Sequence, residues 1–143
     1  MAPEAVREAL LATRVWRSSF QVHLTGGEPF LRFPLLLEAT QIAKELAIPA
    51  YLETNAGWCV SERIVEKRLC ALRDAGLRAV LISCSPFHAE AIPPERILLA
   101  ARKEVEVFGP SGVILYLPEW LDQVQSFGGA AHNPLGAVRS SLR

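Results

Sequence analysis

Two glycines and a carboxylate adjoin in the segment Gly26-Gly27-Glu28-Pro29. The segment follows an alternating apolar run over residues 20–24, so the glycines are predicted to lie at the C-terminal end of a β-strand. Adjacent glycines let a backbone approach a ligand closely and offer it bare N–H and C=O groups. In parallel α/β folds, ligands bind at this end of the strands. A Gly-Gly pair also marks ordinary turns, and the surrounding elements must decide between the two interpretations.

Polar residues follow the other predicted strands at the corresponding place. Asn55, Ser83 and Ser85 can donate short hydrogen bonds to a ribose or an amino-acid group. Glu28 and Glu53 can accept hydrogen bonds from an ammonium group. The alternatives stay open, because Asn55 and Ser85 are also common turn residues and Glu28 can cap the helix that follows it. The later strand ends are Glu53-Thr54-Asn55, Ser83-Cys84-Ser85-Pro86-Phe87-His88 and Pro118-Glu119.

Two histidines and a tryptophan receive different interpretations. His88 is either a general acid/base or substrate contact, or a structural histidine bonded within its loop. His23 lies inside a predicted strand, and the sequence reveals no partner for it. We therefore interpret His23 as structural. Trp58 is predicted to be a packing residue.

The three cysteines, Cys59, Cys70 and Cys84, are widely spaced and form no CxxC or CxxxCxxC pattern. We expect reduced thiols in or near a core, and no metal site. The formal net charge is zero with no basic block, so a nucleic-acid partner is not expected. No apolar run reaches the roughly 20 residues that span a bilayer. With no signal-peptide pattern near the N-terminus, a cytoplasmic location is predicted.

The elements that would position these residues alternate along the chain. Helices are predicted over about residues 3–17, 35–46, 61–76, 93–107 and 119–126, and strands over about 20–25, 50–54, 79–82 and 113–117. This alternation predicts an α/β fold in which about four parallel strands are joined by right-handed helical crossovers. Four strands fit an open sheet or part of a larger barrel. We expect one core over residues 1–127 and an irregular or disordered tail over 128–143.

A resemblance to the radical S-adenosylmethionine (radical SAM) superfamily rests first on His23-Leu24-Thr25-Gly26-Gly27-Glu28-Pro29-Phe30-Leu31. This segment looks like the "GGE" motif that follows the second strand in that family. Two later segments in register with it support the resemblance, which covers about residues 3–120. They are Leu52-Glu53-Thr54-Asn55 and the stretch from Ile82-Ser83-Cys84-Ser85-Pro86-Phe87-His88 through Ile92-Pro93-Pro94-Glu95-Arg96.

The resemblance implies a fragment of a partial (β/α)₆, TIM-like barrel with two cofactors. Family members cleave S-adenosylmethionine at a [4Fe–4S] cluster to a 5′-deoxyadenosyl radical, which abstracts hydrogen from a substrate. It further implies an electron donor and a substrate that the sequence does not identify. Gly26, Gly27 and Glu28 would then contact the amino-acid group of S-adenosylmethionine, mainly through backbone atoms. Asn55, Ser83 and Ser85 would contact its ribose or carboxylate.

One part of the family pattern has no counterpart in the sequence. The family holds its cluster with three cysteines, usually CxxxCxxC, in a loop after the first strand. Here a helix leads, so the expectation is a core truncated at its N-terminal side that does not assemble the cluster alone and is inactive by itself. Two alternatives remain, a degenerate S-adenosylmethionine-binding or interaction scaffold without catalysis, and an ordinary parallel α/β domain with a chance likeness.

Overall fold

The sheet of this protein is parallel throughout and runs in chain order. A computed structural model describes residues 2–13, 21–85, 88 and 91–116 of the 143-residue chain. Within them lie four strands in the order β1-β2-β3-β4, and each pairs in parallel with the next. The predicted α/β class with a parallel sheet of about four strands is confirmed. The strands are β1 (Val22–Leu24), β2 (Ala50–Thr54), β3 (Leu77–Ser83) and β4 (Val113–Tyr116).

In the described part of the chain, four α-helices alternate with the strands. They are α1 (Pro3–Thr13), α2 (Phe33–Glu45), α3 (Glu62–Ala75) and α4 (Pro94–Phe108), and two short 3₁₀ turns cover Pro29–Arg32 and Pro110–Gly112. The last residues of the helix predicted over 3–17, the helix predicted over 119–126 and the tail over 128–143 lie outside the described residues, as do Pro118 and Glu119. Among the described residues, no helix combines the length and the hydropathy needed to cross a membrane.

Local chemistry explains where the crossover helices begin and end. α2 ends at Glu45, shortly before Pro49, which cannot donate to a continuing helix. α3 follows Ser61, which occupies the N-cap position in an extended conformation without a side-chain capping bond. It ends at Gly76, whose φ of 109° is a left-handed value that glycine adopts without steric cost. These ends fix the crossovers that bring successive strands side by side.

The described helices form one layer on one face of the sheet. Sequential strand order combined with right-handed crossovers places every connecting helix on the same side. Consistently, α1 contacts α2, α2 contacts α3, and α3 contacts α4. Strand residues on the helix side, such as Leu52, Val80 and Ile82, are fully buried and form the core. We call the other side the open face. Its residues are His23, Tyr51, Glu53, Ala79, Leu81, Ser83, Ile114 and Tyr116.

Candidate functional site

The Gly26-Gly27 turn leaves β1 at the C-terminal edge of the sheet with its backbone uncovered. Gly26 has a φ of 105° and Gly27 a φ of 60°, values that residues with a side chain rarely adopt. A Cβ atom added at either position would meet no atom within 4 Å. Both glycines are exposed. The turn therefore presents main-chain polar groups beside open space, as a ligand-binding turn requires.

Glu28 ties this turn to the end of β2. Its carboxylate accepts from the Asn55 backbone N–H at 2.8 Å and from the Thr54 hydroxyl at 2.9 and 3.0 Å. It also accepts from the backbone N–H of Phe30 at 3.1 Å, as the N-cap of the first 3₁₀ turn. The capping alternative is thereby confirmed. The Glu28 side chain is engaged with protein donors, and the predicted ligand contact through its backbone stays a prediction.

The loop after β2 is held in a strained conformation by internal hydrogen bonds. Asn55 Oδ1 accepts from the Gly57 N–H at 2.8 Å, which confirms a turn role for this oxygen. Ala56 adopts a φ of 62°, unusual for a residue with a side chain, and its N–H donates to Thr54 Oγ1 at 3.1 Å. The Asn55 side-chain nitrogen remains the group that can reach a ligand.

Trp58 packs beneath this loop, as predicted. Its ring stacks on Phe30 with centroids 3.6 Å apart, and its indole N–H donates to Thr54 Oγ1 at 3.0 Å. The Arg68 guanidinium lies 5.6 Å from the Trp58 ring centroid. The Thr54 hydroxyl thus forms hydrogen bonds with Glu28, Ala56 and Trp58 at the same time. A lone threonine at the end of a strand gives no sequence signal of that role.

Ser85 and His88 form a local pair after β3. The Ser85 hydroxyl lies 2.8 Å from His88 Nδ1, and the His88 backbone N–H donates to the Ser85 carbonyl at 3.0 Å. This arrangement fits the structural alternative for His88. Pro86 and Phe87, which lie between Ser85 and His88 in the sequence, are outside the described residues. The structure shows no hydrogen bond from this pair to a described residue of the glycine turn.

Glu53 lies on the open face next to polar groups from the two strands that flank β2. It accepts from the Ser83 hydroxyl, from the Thr25 hydroxyl at 3.4 Å, and lies 3.1 Å from His23 Nε2. His23, for which the sequence reveals no partner, therefore has one. The signal was present in the alternation, because His23 and Glu53 each flank apolar residues of their strands and so project to the same face. The Ser83 hydroxyl donates to Glu53, and its predicted contact with a ligand stays a prediction.

The three cysteines do not form a cluster-binding set. Cys59 and Cys84 are buried, and Cys70 lies within α3. Burial, with a smaller effect from Glu104 and Glu28, raises the pKa of the Cys59 thiol, and burial also raises the pKa of Cys84. Protonated thiols are poor metal ligands. Among the described residues, no three His, Cys, Asp or Glu side chains are grouped so that they could hold a metal ion.

Comparison with known proteins adds no identification. No family model matches the chain, and the curated proteins contain no significant match to it.

Proposed function

We propose that this chain is part of a radical S-adenosylmethionine enzyme and binds the amino-acid group of S-adenosylmethionine at the Gly26-Gly27 turn. The observation that carries the proposal is the turn itself, at the C-terminal edge of a parallel sheet, with two left-handed glycines beside open space. Such a turn suits a ligand that carries both an ammonium and a carboxylate, since backbone C=O groups can accept from the ammonium and backbone N–H groups can donate to the carboxylate. The sequence around the turn supports this ligand by resemblance.

Glu28 supplies the rigidity that such a site needs. Three donors from its own turn and from β2 converge on its carboxylate, so the glycine backbone is held before a ligand arrives. Preorganised hydrogen-bonding groups lose less entropy on binding. Asn55, whose backbone is fixed by the same carboxylate, would place its side-chain nitrogen toward the ribose or carboxylate. Ser85 is the other proposed contact, and Ser83 would act through Glu53.

The sheet order supports membership of a larger barrel. In doubly wound sheets the strand order reverses at a switch point, whereas here it advances strictly from β1 to β4. Among the described strands β1 pairs on one side only, with β2. A cavity of about 260 Å³ lies beside it, between α1 and α2. We propose that a further strand of the (β/α)₆ barrel packs there. Apolar residues that line the cavity include Val6, Leu10, Val22, Leu35 and Leu36.

The [4Fe–4S] cluster implied by the resemblance does not fit the described residues. Cys59 and Cys84 are buried with raised pKa values, and no described group of ligands surrounds them. No step is therefore derived through a cluster. What the proposal assigns to this chain is binding and orientation of S-adenosylmethionine.

Titration calorimetry with S-adenosylmethionine tests the proposal through two matched glycine variants. Gly27→Ala places a side chain at a φ of 60° in the proposed site, and Gly109→Ala places one at a φ of 76° before β4, at the opposite edge of the sheet. Neither new Cβ meets an atom within 4 Å, so each variant perturbs its site through backbone strain at a positive φ rather than through a clash. We expect Gly27→Ala to raise the dissociation constant about tenfold, equivalent to about 1.4 kcal/mol.

The control should bind as the unchanged chain does. Equal weakening by both variants would show that strain rather than the turn controls binding, and no heat of binding to the unchanged chain would reject the proposal.

A further inference from the structure

The open face carries a histidine–carboxylate pair outside the glycine turn. His23 Nε2 lies 3.1 Å from Glu53 Oε2, and the two side chains are 31% and 33% exposed. The residues come from neighbouring strands, because His23 is in register with Tyr51, two residues before Glu53. The pair therefore sits on two paired strands of the sheet rather than on a loop, which favours a fixed geometry.

Both members of the pair are held by further contacts. The His23 ring stacks on Tyr51 with centroids 4.4 Å apart and an interplanar angle of 7°. Glu53 accepts hydrogen bonds from the Ser83 and Thr25 hydroxyls on either side. Each of these contacts restricts one side chain, so the imidazole and the carboxylate face each other in one arrangement.

The Glu53 carboxylate beside Nε2 influences which nitrogen of His23 is basic. A carboxylate only accepts hydrogen bonds, so its position 3.1 Å from Nε2 favours the tautomer of neutral His23 with its proton on Nε2. The lone pair is then on Nδ1, to which no described residue donates a hydrogen bond. A proton taken up at Nδ1 would create an imidazolium, whose charge the adjacent Glu53 carboxylate balances. This is the relationship between base and orienting carboxylate found in hydrolytic triads.

We propose that His23 and Glu53 form a general-base pair for a hydroxyl group of a ligand bound on the open face. In the step, the proton of the ligand O–H passes to Nδ1, the O–H electron pair stays on oxygen, and the imidazolium is paired with Glu53. His23 is the base and Glu53 is a positioning residue. The inference goes beyond binding of S-adenosylmethionine and does not rest on it.

Diethyl pyrocarbonate tests the basic nitrogen directly. An unprotonated imidazole nitrogen attacks it and takes an ethoxycarbonyl group, while ethanol and carbon dioxide leave. The full chain is treated at about pH 8, above the ordinary pKa of histidine, without S-adenosylmethionine. Mass spectrometry gives the rate at His23. His88, whose Nδ1 is engaged by Ser85 at 2.8 Å, is the internal reference.

We expect Glu53→Gln to slow the His23 reaction about fivefold through loss of the carboxylate, measured relative to His88 in the same sample. Glu38→Gln, which removes an exposed charge from α2, should leave the rate unchanged. Nitrogen-15 NMR of the unchanged chain should place the His23 proton on Nε2, a measurement that needs no variant. A rate insensitive to Glu53→Gln in a folded variant, or a proton on Nδ1, would each overturn the proposal.

Discussion

At the scale of single residues, Glu104 departs most from what a sequence predicts. It lies on α4 with 0% of its surface exposed, and neither carboxylate oxygen has a hydrogen-bond partner among the described residues. Its neighbour Lys103 is also buried but reaches the Glu106 carboxylate at 2.7 Å. Helical periodicity predicts which positions of α4 face the core, but charged side chains are usually assigned to the solvent side. Tertiary packing therefore overrides the local preference at this position.

Burial raises the pKa of Glu104 well above its ordinary value of 4.5, which predicts a pH dependence of stability. The folded state keeps this carboxyl protonated, whereas the unfolded state releases the proton above about pH 4.5. Its effect on stability is therefore most favourable below pH 4.5 and is lost as the pH rises toward the folded-state pKa. Glu104→Leu should remove this decline and stabilise the chain by about 2 kcal/mol at neutral pH.

Urea denaturation of both proteins across the pH range measures the difference. Glu38→Leu, at an exposed position of α2, is the matched control and should show the pH dependence of the unchanged chain. A Glu104→Leu variant that is less stable at neutral pH, with the decline still present, would show that the carboxyl has a stabilising partner.

At the scale of elements, strand ends were predictable and the links between them were not. The alternation of residues 20–24 and the following glycines predict the end of β1, and the structure places the glycine turn there. β3 begins at Leu77, two residues before its predicted start. The prediction began too late because the exposed Arg78 interrupts the apolar run. The bonds from Glu28 to Thr54 and Asn55 join residues 26 and 27 positions apart. Such pairs depend on how the α2 crossover places β1 beside β2, which local sequence does not encode.

Removing the Glu28 carboxylate should loosen the turn from β2. Glu28→Ala leaves the Asn55 N–H and the Thr54 hydroxyl, both partly buried in this contact, without their acceptor. We expect a loss of about 2 kcal/mol in the free energy of unfolding, the typical effect of leaving such donors unpaired. Chemical denaturation measures it, with Glu8→Ala on the exposed side of α1 as control. An effect no larger than that of the control would show that the carboxylate does not join the two elements.

At the scale of the whole molecule, the sheet and the layer formed by the described helices bring the polar residues of the candidate site to one edge. The alternating α/β pattern of the sequence predicted parallel strands, and the structure adds their strictly sequential order. That order leaves one face without a described helix and aligns the glycine turn with the loops after β2 and β3. The sequence did not predict the polar cluster around Glu53, because its members come together only once the strand register is set. The ligand of the edge is proposed from resemblance and geometry together.

The most direct measurement is an NMR titration of the full, nitrogen-15-labelled chain with S-adenosylmethionine. Our account predicts the largest shifts at the backbone amides of Gly26 and Gly27, with smaller ones at Asn55. Gly76 and Gly109, at the opposite edge of the sheet, should not respond. Saturating shifts confined to the glycine turn and the loops beside it would support the proposed site. An unchanged glycine turn at saturating ligand, or shifts only at the opposite edge, would contradict it.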